Sequence, residues 1–201
     1  MDKRPIRRFP ERGDQIKTSA FLKLDIKEMG IVTELNDPVI GRLEYSPNGD
    51  MPHWIKEEYL DCIGAAITLN IQAGIAGPSE QQRQVYSTFK TKQKSMKLEL
   101  QEALFEFYKG EREAYAAGWD DSDDYFRECL PMLGSSDQIW ALLDPQGWNI
   151  LGPDSSTCTF DKPEERCDMA IFWHGCWDIE HEFCALFKNG KLQNIAGPGN
   201  F

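Results

Sequence analysis

The chain has no apolar run near the roughly 18–20 residues that a membrane-spanning helix requires, so no such helix is expected. Its basic start, Lys3-Arg4-Pro5-Ile6-Arg7-Arg8, is followed by no hydrophobic stretch, so it does not read as a secretory leader. The expected compartment is the cytoplasm. No Cys-x-x-Cys pair occurs, which removes the usual zinc-ribbon and thioredoxin signatures. There is no Gly-x-Gly-x-x-Gly, no Walker loop and no Gly-x-Ser-x-Gly elbow, so dinucleotide, nucleoside-triphosphate and serine-hydrolase readings lose their local signals. Positive charge is also short. Lys and Arg number 22 against 33 Asp and Glu, for a formal charge of −11. A field of that sign disfavours nucleic acid and anionic membrane as partners and speeds association with a basic protein. Simple solubility is the plainer account of the same charge.

What is present suffices for a core. Of the 201 residues 41% are hydrophobic, including 11 Phe, 6 Trp and 6 Tyr. The six cysteines, Cys62, Cys129, Cys158, Cys167, Cys176 and Cys184, are expected as reduced thiols, because a chain this long needs no disulfide framework. Residues 1–15 read as a basic arm. Residues 16–201 read as a single domain, with a break near 118–124 as the candidate subdivision.

Strand-like pieces fall at 30–35, 39–45 and 63–73, separated by turn signals at Asn36-Asp37-Pro38 and Ser46-Pro47-Asn48-Gly49-Asp50. Ile67, Leu69 and Ile71 alternate with polar residues, the pattern of a half-buried strand. Ser79, with Gln82 three residues on, forms a capping box. Val85, Phe89, Met96, Leu100, Leu104 and Phe107 then recur at helical spacing, which predicts one helix, or a pair bent near 91–95. A short helix is predicted over 125–133. Segments 139–143 and 148–151 look like a strand pair turning through Asp144-Pro145-Gln146-Gly147, and 152–166 is a polar loop. Two apolar runs flank Asn189-Gly190, a hairpin signal. The fold class is therefore α+β: antiparallel strands packed on a long amphipathic helix or helix pair, ending in a β-meander.

Few constellations carry chemistry. Trp119, Asp120, Asp121, Asp123, Asp124 and Tyr125 combine carboxylates with aromatic anchors, as a docking surface for basic residues requires. The EF-hand pattern fails there, and a solvated loop is the plain reading. His174, Cys176, His181 and Cys184 are zinc-type ligands, but their spacing matches no common finger, and on a strand Phe172 shares their face. Cys176 or Cys184 with His181 as base lacks any activating feature. Trp177, Asp178, Glu180 and His181 read as a structural corner in which a carboxylate pins the turn between strands.

Several of these features resemble a family of uncharacterised bacterial domains. They are Gly41-Arg42-Leu43-Glu44-Tyr45, a strand bearing Trp54, the alternating strand running to Pro78-Ser79-x-x-Gln82, a helix closing on Phe107-Tyr108, and Trp177-Asp178-x-Glu180-His181 followed by Leu186-Phe187-Lys188-Asn189-Gly190-Lys191. The family version places Gly after the His, where this chain has Glu182. Members are often encoded beside polymorphic toxins. The resemblance implies an immunity protein, a non-catalytic inhibitor binding a cognate toxin or effector, with no cofactor and no bound metal. Two readings stand beside it: a zinc-dependent enzyme using His174 and His181, and an accessory binding protein.

Overall fold

A computed structural model describes residues 33–46, 52–118, 124–152 and 166–197, without the side chains of residues 125 and 126. The basic arm, the turn at 47–50 and most of the polar loop predicted over 152–166 lie outside these residues. Contacts divide the chain between Thr33 and Glu34, and the account below concerns the unit that begins at Glu34.

Eight strands form one sheet in sequence order: β1 (Glu34–Asp37), β2 (Gly41–Ser46), β3 (His53–Leu60), β4 (Ala65–Gln72), β5 (Leu143–Ile150), β6 (Met169–Gly175), β7 (Asp178–Lys188) and β8 (Lys191–Ala196). Every neighbouring pair is antiparallel except β4 and β5, which run parallel. A parallel pair demands a crossover connection. Helix α1 (Glu80–Ala116), 37 residues and about 55 Å long, provides it. A short helix, α2 (Asp124–Cys129), and a 3-10 helix (Ser136–Leu142) follow before β5. The fold is α+β, as the patterning implied.

α1 begins as the capping box predicts. The Ser79 hydroxyl accepts the Gln82 N–H, and the Gln82 side chain accepts the Ser79 N–H. The helix runs unbroken through 91–95. There the hydroxyls of Thr91 and Ser95 donate back to the carbonyls of Ser87 and Lys92 within the helix. Its buried line is Gln82, Tyr86, Phe89, Gln93, Met96, Leu100, Leu104 and Tyr108. Val85 and Phe107 are only partly buried, because two tyrosines occupy the centre of the face instead. Each reaches a polar partner from inside. The Tyr86 hydroxyl donates to Glu58 Oε1 at 2.8 Å, and the Tyr108 hydroxyl donates to the Pro131 carbonyl. Gln93 accepts the Asp61 N–H, and Gln82 donates to the carbonyls of Gln72 and Leu151.

Against this line the sheet presents Leu43, Trp54, Ile67, Leu69, Ile71, Trp148, Ile171, Trp173 and Phe187. Phe89 packs on Trp148 and Phe187 at centroid distances of 5.1 and 5.9 Å. Lys56 and Glu58 also sit in this region. Their burial is tolerable because Glu58 meets Lys90 Nζ at 3.0 Å and Lys56 Nζ at 3.3 Å. Asp37, fully buried, accepts the N–H groups of Val39 and Ile40 and pairs with Arg83 at 2.8 Å. Burial pushes its pKa up, but these donors outweigh that and hold it below the usual carboxylate range. Across β6 and β7 a second cluster, Ala170, Cys184, Leu186 with Leu151, Cys167 and Ala196, buries the other face as well. That double burial explains why 183–187 is an unbroken apolar run.

Three expectations are corrected. The turn predicted at 36–38 lies at 38–40, where Asp37 caps it. Of the strand predicted over 139–143, only Leu143 is extended, as the first residue of β5; residues 139–142 belong to the 3-10 helix, held by Trp140 Nε1 donating to Gln101 Oε1 at 3.0 Å. Residues 144–147 are not a turn but part of β5, because a bulge between Pro145 and Gly147 absorbs the proline. The terminal hairpin is as expected. Asn189 and Gly190 adopt φ of 53° and 67°, the left-handed pair of a two-residue turn.

Candidate functional site

The C-terminal end of α1 meets the β6–β7 turn, and carboxylates collect there. Strand pairing sets the geometry. His174 faces Glu182, but Gly175 faces Asp178, so residues 179–181 bulge outward. Asp178 ties off the bulge. Its Oδ1 accepts the N–H groups of Glu180 and His181 at 3.2 and 3.1 Å, and His181 Nδ1 lies 3.0 Å from both its oxygens. Trp177 turns inward and packs on Tyr108 and Phe183 at 5.1 and 5.8 Å. Gly175 makes room for it, since a Cβ there would lie 2.5 Å from the indole. Glu180, His181 and Glu182 are left exposed beside Ile179.

α1 contributes Glu111 and Tyr115. Burial pushes the Glu111 carboxyl up, and the Asp178 charge adds to the effect. Tyr115 is raised by burial, then by Asp178 and Glu111. The helix has no basic residue in its last turn to meet its partial negative charge. Negative groups at that end work against helix stability. Arg112, one residue on from Glu111, is instead engaged with the Leu130 carbonyl at 3.1 Å.

Of the acidic–aromatic patch expected as the partner surface, Trp119, Asp120, Asp121 and Asp123 lie outside the described residues, as does the Tyr125 side chain. Asp124 is exposed in the first turn of α2 and pairs with Arg127 at 2.5 Å. Of the corner residues, Asp178 and His181 come together, Trp177 is buried behind them and Glu180 points to solvent. Glu111 and Tyr115 escaped notice in the sequence. Their only signal is proximity to Asp178 across more than sixty positions, and no local pattern carries it.

The zinc-type residues are not gathered. Cys184 is buried in the second cluster, paired across strands with Phe172. The Cys176 thiol donates to the Cys129 carbonyl at 3.0 Å, and burial pushes it up to about 11, away from the thiolate a nucleophile or metal ligand needs. His174 Nε2 lies 3.9 Å from Glu182 Oε1. Among the described residues no three His, Cys, Asp or Glu side chains form a metal-binding group. The five described cysteines form no disulfide. No helix among the described residues is long and apolar enough to cross a membrane.

A family model matches residues 39–198, most of the chain. The chain belongs to DUF6985, a domain of unknown function. The DUF6985 span runs from before β2 to just past β8, so the corner, the end of α1 and the bulged β5 all lie inside it. No curated protein and no solved structure matches the chain.

Proposed function

We propose that this DUF6985 protein binds and inhibits a cationic protein, and that it serves as the cytoplasmic immunity protein of a cognate bacterial toxin or effector, without catalysis. The observation that carries the reading is the acidic end of α1, where burial and the neighbouring Asp178 charge both push the Glu111 carboxyl up and no basic side chain stands in the last turn of the helix. Such an arrangement lowers stability and supplies what a basic surface recognises. Exposed Glu180 and Glu182 extend it on the bulge, and Asp124 is a further exposed carboxylate in the first turn of α2. The overall charge of −11 steers a basic partner toward it. Buried Trp177 holds the bulge from behind, so the carboxylates are presented on a supported turn.

The test pairs the full chain with the protein encoded beside it. A stable complex on size exclusion is expected, weakened at least tenfold by Glu180→Lys with Glu182→Lys, since each reversal replaces an attraction with a repulsion. No complex, or one indifferent to both reversals, overturns the reading.

A further inference from the structure

β8 closes the sheet and pairs only with β7 among the described residues. Together with α1 it lines a groove of about 490 Å³, formed by Glu99, Ala103, Glu106, Phe107, Leu192 and Ile195, with Gln193 and Asn194. On the helix side, Glu99, Ala103 and Glu106 fall on one stripe, because positions three and four apart share a helix face. The small Ala103 leaves a hollow over Phe107, and Leu192 and Ile195 complete an apolar floor. A carboxylate stands at each end of that hollow, the two about 10 Å apart along the axis. Glu106 already holds Lys109 at 2.5 Å through Oε1, an exposed pair that leaves its second oxygen for another cation.

We propose that this groove docks an extended segment of a partner protein, added antiparallel or parallel to β8 as a ninth strand. The segment carries cationic residues two positions either side of an apolar one. In an extended chain every second side chain faces the same way, so three alternate residues point at the helix. The outer two span about 13 Å, within reach of Glu99 and Glu106 given the length of Lys or Arg, and the middle one enters the hollow over Ala103. A second copy of this chain fits badly. It would bring Glu99 and Glu106 against their own equivalents, and like charges facing each other oppose pairing. This surface is separate from the acidic end of α1, and either can fail without the other.

The probe is a blocked heptapeptide, Thr-Lys-Thr-Val-Thr-Lys-Thr, titrated into the full chain with backbone amide shifts followed by NMR. Shifts confined to 192–195 and 99–107 are expected. Glu99→Gln with Glu106→Gln should weaken binding about tenfold, as expected for two exposed ion pairs. Ala103→Leu, which fills the hollow, should abolish it. N-methylating one alternate set of peptide amides should also abolish it, while methylating the other set should not. Glu180→Lys should leave it unchanged. Shifts centred on 178–182, indifference to the Gln variants, or equal binding by both methylated peptides would overturn the proposal. So would a β8-mediated dimer that the peptide dissociates.

Discussion

Glu111 is a half-buried carboxyl whose neighbour Asp178 carries the same charge. A carboxyl held above its unfolded pKa lowers stability once pH exceeds the folded value, and that penalty fades as pH falls below the unfolded value, about 4.3. Glu111→Gln is therefore expected to raise the thermal midpoint at pH 7, by no more than about 4 °C on the scale of a 1 kcal/mol change in a domain of this size. Below about pH 4 the difference should vanish. Calorimetry at the two pH values decides it, and an equal gain at both would show that ionisation is not responsible. The same variant should bind the partner less well. A residue that weakens its own fold while strengthening an interaction marks a functional position. Asp37 is its opposite. Its donors favour the charged form, so its contribution is present at neutral pH and lost as acid protonates it.

At the scale of elements, short local patterns mark several boundaries. Ser79 and Gln82 announce the start of α1 within four residues. Asn189-Gly190 announces the last turn within two. Ile67, Leu69 and Ile71 mark β4 by period alone, and all three are fully buried. The errors lie where distant groups decide. Tyr86 and Tyr108 entered the core because Glu58 and the Pro131 carbonyl stood ready for their hydroxyls, and those partners are remote in sequence. Pro145 looked like a turn because a proline in a central strand is rare, and only the bulge beside β6 accommodates it. The corner was legible as Asp178 with His181, but Glu111 was invisible until α1 lay against it. Two substitutions weigh these parts. Leu104, 1% exposed, should lose about 2–5 kcal/mol on truncation to Ala. Ser79→Ala should lose about 1 kcal/mol. Denaturant unfolding compares them, and a larger effect at Ser79 would mean that α1 depends on its cap more than on its packing.

For the whole molecule, the proposed encounter with a cationic partner is steered, before any contact forms, by an excess of eleven negative charges. The rate constant for binding the cationic partner should fall steeply as salt shortens the Debye length from about 30 Å at 0.01 M to about 8 Å at 0.15 M, while dissociation changes far less. Stopped-flow mixing across that range measures it. An on-rate flat with salt would remove long-range steering from the account.

The seam between β4 and β5 has a consequence of its own. Thr68 to Ile71 pair with Gly147 to Ile150, and Asn70 donates to Asn149 at 3.1 Å across 79 positions of chain. Each flanking meander can zip up from neighbouring residues, but this join must wait for a long closure. Until it closes, two unprotected apolar borders face solvent, one bearing Leu69 and Ile71, the other Trp148 and Ile150. A second molecule's border fits as well as its own, with α1 as the tether. Crowded refolding therefore invites two chains to trade their C-terminal halves, giving an intertwined dimer in which each β4 pairs with the other molecule's β5 and every other strand pair stays within one chain.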